Sequence, residues 1–255
     1  MTFGLKLFAV LAVTATKTLS SAVPPADLLG TWEVTQVEPD RGDQMRWEFP
    51  PQDPKVLGRE LVISKDEVRF ALDQEPCKRP SWKATSMTWG ELFGRGFRRP
   101  EGTKPSPSDF ELKVSSRDKV SAFMPCPGPR AKGTDLWLQP KWLVLQDPNT
   151  LVMHKDSQVL LILKKRQPDA RPRASFPCEK AVTSTEKAIC GSFDLASWDR
   201  SVAAAYAEAL ERNKDHQDKI RGEQKAWLKK RDACGDRVPC IDELLWRRVE
   251  DLKQD

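Results

Sequence analysis

The sequence has few of the residues from which metal and catalytic sites are built. It contains two histidines and no paired Cys-x-x-Cys motif, so the clustered ligands of a zinc site are missing. Gly94-x-Gly96 is not followed by a helix-forming segment, unlike a phosphate-binding glycine loop. In the predicted strand around His154, Asp156 shares the histidine's face but Ser157 points away, which excludes a local nucleophilic triad. We therefore predict a protein that is not an enzyme and has no metal or cofactor.

The sequence also lacks a concentrated run of positive charge. The formal net charge is +5, and two of the lysines lie in the first 22 residues. Residues 23–177 contain 25 Lys and Arg against 21 Asp and Glu, and residues 178–255 contain 15 against 16. Nucleic-acid binding requires a basic patch or stripe, so we expect no nucleic-acid partner.

No hydrophobic run is long enough to span a membrane, which takes about 20 apolar residues. The apolar run at residues 7–13 follows Lys6 and precedes a small-x-small sequence ending at Ala22, a pattern typical of a cleaved secretory signal. No cysteine precedes Cys77, which excludes lipid attachment just after cleavage. We predict a signal peptide at residues 1–22, no stable membrane anchor and a periplasmic or secreted location.

Six cysteines in an exported chain predict disulfide bonds, because exported proteins fold in an oxidising space. Cys77 and Cys126 are the only cysteines before residue 177, and we expect them to pair with each other. The other four permit three connectivities, among which the sequence does not choose: Cys178, Cys190, Cys234 and Cys240.

Two domains are predicted on either side of a linker at residues 167–175, which contains two prolines and no aliphatic residue larger than alanine. In residues 23–166, apolar and polar residues alternate along short segments, which predicts an antiparallel, barrel-like or sandwich domain of short strands. Residues 176–255 show helical periodicity instead. The fold class is therefore α+β. The predicted strands are 30–37, 60–64, 67–72, 110–114, 120–124, 142–145, 151–153 and 158–163.

Two features of the N-terminal domain suggest more specific structure. The segment Asp27-Leu28-Leu29-Gly30-Thr31-Trp32 resembles the opening strand of lipocalin-like barrels, which implies that Trp32 closes the bottom of a barrel. An insert at residues 76–107 is rich in aromatic residues, Pro and Arg. It is interpreted as a lid, a recognition loop or a decoration without function.

Four helices are predicted in the C-terminal domain. Thr183-Ser184-Thr185-Glu186 has the form of a capping box, so a short helix is expected to run from there to Cys190. Three longer amphipathic helices follow, the second ending at Gly235 and the third beginning near Pro239. Their apolar residues recur every three or four positions and can be buried only against each other.

The C-terminal domain resembles a known family. The pattern Cys178, Glu186-x-x-Ile189-Cys190, Leu195-x-x-Trp198-Asp199, Tyr206, Gln224-x-x-Trp227-Leu228-x-x-Arg231-Asp232-x-Cys234 and Cys240 is similar to that of the LprI-like domain, an exported helical module named after a lysozyme-inhibiting lipoprotein. The resemblance implies a binding protein whose partner is lysozyme or another peptidoglycan hydrolase.

The motif side chains have two interpretations. They lie on or beside the apolar stripes, so we expect a partly buried network that joins the helices, in which Arg231 donates hydrogen bonds. In the second interpretation, Arg231 or Asp232 belongs to a surface that fills a hydrolase cleft and offers donors to its two carboxylates. The motif residues are Asp199, Tyr206, Gln224, Trp227, Arg231 and Asp232.

Two other functions stay open from the sequence. A hollow barrel would carry a lipid or another small apolar ligand. A cell-envelope glycan binder would instead stack sugars on the tryptophans of the N-terminal domain, which include Trp82, Trp89, Trp137 and Trp142.

Overall fold

The structure is a computed structural model that describes residues 23–43, 47–73, 75–97, 99, 102–126, 142–155 and 158–254. The predicted signal peptide at residues 1–22 lies outside these described residues, and so does Trp137.

The N-terminal part is one antiparallel sheet whose strand order follows the chain. The order is β4-β3-β2-β1-β9-β8-β7-β6-β5, so the first strand pairs with the last. This is the order of an up-and-down barrel in which one join, between β4 and β5, is not a strand pair. The strands are β1 Gly30–Pro39, β2 Glu60–Ile63, β3 Glu67–Phe70, β4 Cys77–Lys78, β5 Ala84–Thr88, β6 Lys119–Phe123, β7 Trp142–Asp147, β8 Thr150–His154 and β9 Val159–Lys165.

A disulfide bond connects the two ends of this sheet. Cys77 in β4 is bonded to Cys126, which lies three residues after β6. Beside the disulfide, the Ser81 amide donates a hydrogen bond to the Pro125 carbonyl oxygen over 2.7 Å. The join that lacks paired strands is therefore held by a covalent bond, and the predicted antiparallel, barrel-like domain is confirmed as an antiparallel sheet.

Apolar side chains cover both faces of the sheet. On β9, Leu161 and Leu163 belong to an inner cluster with Trp32, whereas Leu160 and Ile162 belong to an outer cluster. The inner cluster contains Trp32, Phe70, Trp82 and Phe123, among other large side chains. Because these side chains occupy the space that a carried ligand would need, the packing does not favour the carrier function.

The described part of the insert at residues 76–107 supplies strands β4 and β5 of the sheet and helix α1, Trp89–Gly96. Helix α1 begins with a capping box, in which Thr88 and Glu91 exchange side-chain and backbone hydrogen bonds. Trp89, Leu92 and Phe93 of α1 are buried in the outer cluster. The described part of the insert therefore contributes to the core, and of the tryptophans considered for sugar stacking, Trp82, Trp89 and Trp142 are at most 3% exposed.

The predicted strand at residues 110–114 is wrong. Pro107–Phe110 forms a 3-10 helix in which Asp109 caps the backbone of Ser106. Glu111 follows in the left-handed conformation, with φ of 54°. Proline near the helix start and a positive φ after its end are incompatible with an extended strand. Strand β6 therefore pairs with β5 and β7.

The C-terminal part is all helical, as the periodicity predicts. The helices are α2 Ser184–Gly191, α3 Phe193–Arg212, α4 Gln217–Asp232 and α5 Val238–Gln254. Their apolar stripes form a third buried cluster, which includes Trp227 and Leu245. The α+β fold class, an antiparallel sheet followed by disulfide-bonded helices, is confirmed. Within the described ranges, no helix has the length and apolar character required to cross a membrane.

Candidate functional site

Two disulfides fix the ends of the helices in the C-terminal domain. Cys178 is bonded to Cys190 across α2, and Cys234 is bonded to Cys240 across the turn between α4 and α5. Gly235 occupies that turn with φ of +64°, a conformation that glycine adopts without strain. The pairing that the sequence left open therefore joins cysteines that are neighbours along the chain.

Helix α2 is also tied to the end of α4 by hydrogen bonds. The Thr185 hydroxyl lies within hydrogen-bonding distance of the Asp232 and Gly235 carbonyl oxygens, at 3.2 and 2.7 Å. At its start, Thr183 and Glu186 form the predicted capping box. Hydrogen bonds from the backbone amides of Thr183 and Val182 hold the Glu186 pKa below its ordinary value. These contacts place α2 against the α4–α5 turn.

The buried guanidinium of Arg231 connects three segments. Its Nε and Nη2 donate to Asp232 Oδ1 over 3.0 and 2.8 Å, and its Nη1 lies 3.5 Å from Asp199 Oδ1. Asp199 in α3 also accepts a hydrogen bond from the Ser175 amide over 2.7 Å. The Arg231 side chain is 7% exposed. Arg231 thus joins α4 to α3, and through Asp199 to the chain that enters the domain.

The other motif residues are also internal. Gln224 Oε1 accepts a hydrogen bond from Arg248 Nε over 2.9 Å, which joins α4 to α5. Trp227 is 8% exposed and Tyr206 packs against the same cluster. Of the two residues considered for a contact surface, Arg231 is buried, while the Asp232 side chain is 37% exposed. The burial of Arg231 favours the interpretation in which it joins the helices.

One side of α4 is exposed to solvent. Gly222, Lys225, Ala226 and Lys229 lie three or four positions apart and are all exposed. We call these four residues the α4 face. Helix α4 carries six basic and three acidic residues. Within the described part of the chain, Lys225 and Lys229 form no ion pair, so the α4 face presents two uncompensated ammonium groups.

The opposite side of the helical domain packs against the sheet domain. Arg59 Nη2 donates to the hydroxyls of Ser197 and Ser201 in α3 over 2.6 and 3.1 Å. Its guanidinium carbon lies 3.5 Å from the ring centroid of Trp198, which is a cation–π contact. Three ion pairs join the two domains: Arg200 with Glu33, Lys253 with Asp53, and Lys55 with Glu250. The sheet domain therefore leaves the α4 face free.

The close approach of the two domains depends on Gly58. Its φ is +75°, and a Cβ atom added there would lie 2.3 Å from the Ser197 hydroxyl oxygen. We expect Gly58→Ala to lower the free energy of unfolding by about 1–2 kcal/mol, because a side chain disfavours this conformation and displaces α3. Thermal unfolding measures the effect. Gly94→Ala is the control, since a Cβ at helical Gly94 meets nothing within 4 Å; equal losses in both variants would contradict the account.

The fold and its contacts define an α+β protein in which a disulfide-bonded helical region packs on an antiparallel sheet. The C-terminal region matches the family model described as lysozyme inhibitor LprI, over residues 178–251. The helical region therefore contains an LprI domain, which covers less than a third of the 255-residue chain. Searches of curated proteins and of solved structures found no match to the chain. The lipocalin-like resemblance of residues 27–32 stays a prediction.

Proposed function

We propose that this protein is an exported, non-enzymatic inhibitor of lysozyme or a related cell-wall hydrolase, and that the helical domain makes the contact. The match of residues 178–251 to the lysozyme inhibitor LprI family carries this proposal. Among the described residues, no group of three or more His, Cys, Asp or Glu could hold a metal ion. Disulfide bonds support the exported location, since they persist in oxidising compartments.

The α4 face is the contact surface that we propose. The motif residues join the helices to each other inside the domain. We therefore expect them to affect inhibition by holding α4 in place rather than by contacting the hydrolase. Glycosidases carry two carboxylates in the substrate cleft. Lys225 and Lys229 offer ammonium donors to such carboxylates, while Gly222 and Ala226 allow a close approach. The charge match is local, because residues 178–255 have a net charge of −1.

The test of the function is a lysis assay. Full-length protein is added in increasing amounts to a fixed amount of lysozyme, and the rate of lysis of cell-wall substrate is recorded. Inhibition that rises with protein concentration and saturates is the expected result. No inhibition of lysozyme or of a panel of other wall hydrolases at high excess would contradict the proposed function.

Charge reversal on the α4 face tests the proposed contact surface. We expect Lys225→Glu with Lys229→Glu to weaken inhibition at least about tenfold, because two favourable interactions with carboxylates become repulsive. The inhibition constant of each variant is the measurement. Both side chains are exposed, so circular dichroism and thermal unfolding should show an unchanged fold.

The matched control is Lys180→Glu with Lys187→Glu. Both lysines are exposed, lie in the same domain but outside α4, and their replacement changes the net charge by the same amount. We expect this control to inhibit like the unmodified protein. Equal weakening in the two double variants would show a general effect of charge and would exclude the α4 face as the contact.

A further inference from the structure

Two carboxylates face each other in a cleft of about 890 Å³ between the sheet and the helical region. The walls of the cleft come from β2 and the end of β3 on one side, and from α3 and α5 on the other. Asp194 lies at the start of α3 and Asp242 lies in α5, and both line the cleft. Among the described residues, neither carboxylate takes part in an ion pair. The interface therefore holds two negative charges without a direct counter-ion.

The Asp242 carboxylate is costly to keep ionised at this place. Its Oδ1 atom is buried and has no hydrogen-bond partner in the described part of the chain. Loss of water costs an ionised carboxylate more free energy than a neutral one when no donor replaces the water. Burial is the main cause that raises the Asp242 pKa, while the charge of Asp194 adds to the rise and that of Arg59 opposes it. The packed interface thus favours the neutral form of Asp242.

Asp194 responds to the same surroundings. Partial removal from water is the main cause that raises its pKa; the charge of Arg59 opposes the rise, that of Glu60 adds to it, and that of Arg69 opposes it. Asp194 is exposed, so a proton reaches it without opening of the interface. Protonation of either carboxylate also removes the repulsion between Asp194 and Asp242.

The positive charges around the cleft do not neutralise both carboxylates. Arg59 donates to the hydroxyls of Ser197 and Ser201, and it acts on Asp194 and Asp242 through its charge alone. One guanidinium therefore opposes two carboxylates. The other charged groups of the cleft have ion-pair partners: Lys55 with Glu250, Arg69 with Glu67, and Arg166 with Glu60.

We propose that acid strengthens the packing of the helical region on the sheet, because protonation removes the charges of Asp194 and Asp242 from the cleft. A pKa that is raised in the folded protein means that the folded chain binds more protons than the unfolded chain as the pH falls. The resulting stabilisation is largest in acid and is lost as the pH rises through the raised pKa values. The inference does not depend on hydrolase inhibition, since it concerns the contact between two parts of this chain.

The test compares the unmodified protein with a variant that carries Asp194→Asn and Asp242→Asn, at about pH 7.5 and about pH 4.5. The amides remove both charges at either pH, whereas the unmodified protein loses them only in acid. We expect the melting temperature of the variant, relative to the unmodified protein, to be higher at neutral pH than at acid pH by at least about 2 °C. All other groups titrate in both proteins and cancel. A relative melting temperature that is the same at both pH values, or higher in acid, would overturn the proposal.

Hydrogen exchange shows whether the effect lies at the interface. The loop at residues 53–59 belongs to the sheet side and packs on α3 through Gly58 and Arg59. At neutral pH, the amides of this loop should exchange more slowly in the double variant than in the unmodified protein. At acid pH the two proteins should exchange at similar rates. Equal exchange at both pH values would confine the effect to the helical region and overturn the proposal.

The matched control is Asp236→Asn with Asp251→Asn. Both residues are exposed and belong to the helical region, neither lines the cleft, and their replacement changes the net charge by the same amount. We expect their relative melting temperature to be similar at the two pH values. A pH dependence as large as that of the cleft variant would indicate a general effect of charge and would overturn the assignment to the cleft. Lysozyme inhibition by the cleft variant should stay normal, which separates failure of this inference from failure of the proposed function.

Discussion

Replacing Arg231 by methionine is expected to lower the free energy of unfolding by about 3–5 kcal/mol, the usual cost of breaking a buried ion pair by removal of one partner. Asp199 is 4% exposed, and among the described residues the Ser175 amide is the one partner it keeps without Arg231. Methionine preserves most of the side-chain volume, so the loss reports on charge and hydrogen bonding rather than on a cavity. Chemical denaturation followed by far-ultraviolet circular dichroism measures the change.

The control for this experiment is Arg247→Met. Arg247 pairs with Glu243, and their side chains are 59% and 56% exposed. Such a pair contributes about 0.3–0.5 kcal/mol. Similar losses in the two variants would contradict the role of Arg231 as the buried connection between α3 and α4.

Trp32→Ala is expected to lower the free energy of unfolding by about 3–5 kcal/mol, the range for large-to-small changes at buried aromatic positions. Trp32 is 0% exposed, and its Nε1 donates to the Leu28 carbonyl oxygen over 2.9 Å. The substitution removes a large part of the inner cluster and leaves that carbonyl without its donor. Differential scanning calorimetry of the full chain measures the loss.

Trp246→Ala is the matched control, because Trp246 is 39% exposed whereas Trp32 is fully buried. We expect it to lower the free energy of unfolding by less than Trp32→Ala does, since less apolar surface is removed from the core. If Trp32→Ala were as mild, the inner cluster would not be the packed core that the structure shows.

The helical domain was predictable because its signals are local. Apolar residues that recur every three or four positions lie on one side of each of the helices α3, α4 and α5. The Thr183–Glu186 capping box marks the start of α2. The free side of α4 follows from the same repeat, since the residues opposite the apolar stripe face solvent. The choice among three disulfide connectivities did not follow, because it depends on how the helix ends meet in space.

The sheet domain was less predictable because its pairing is set by distant residues. The alternation of residues 110–114 is that of a strand, yet Pro107 and the left-handed Glu111 impose a turn there. Helix α1 had a usable signal, since Thr88 and Glu91 have the spacing of a capping box. That signal was hidden within a segment rich in aromatic residues and proline.

The cleft between the domains had no signal in the sequence. Its central contacts join Arg59 to residues 138 and 142 positions further along the chain. An arginine in a loop before a strand is normally read as a solvated residue. Only the packing of α3 against that loop buries Arg59 and leaves one of its nitrogens without a partner.

The most direct test of the inhibitor function is a stoichiometric titration. A fixed concentration of the target hydrolase, identified in the lysis assay, acts on a soluble glycan substrate in large excess, and the full-length protein is added from zero to several equivalents of enzyme. An inhibitor that occupies the enzyme lowers the rate in proportion to the equivalents added, whereas a protein that only binds glycan cannot deplete an excess of substrate. We predict that enzyme activity is lost completely near one equivalent of the protein. The variant with Lys225→Glu and Lys229→Glu should cause a smaller loss at the same amount. Full activity at several equivalents would contradict the account.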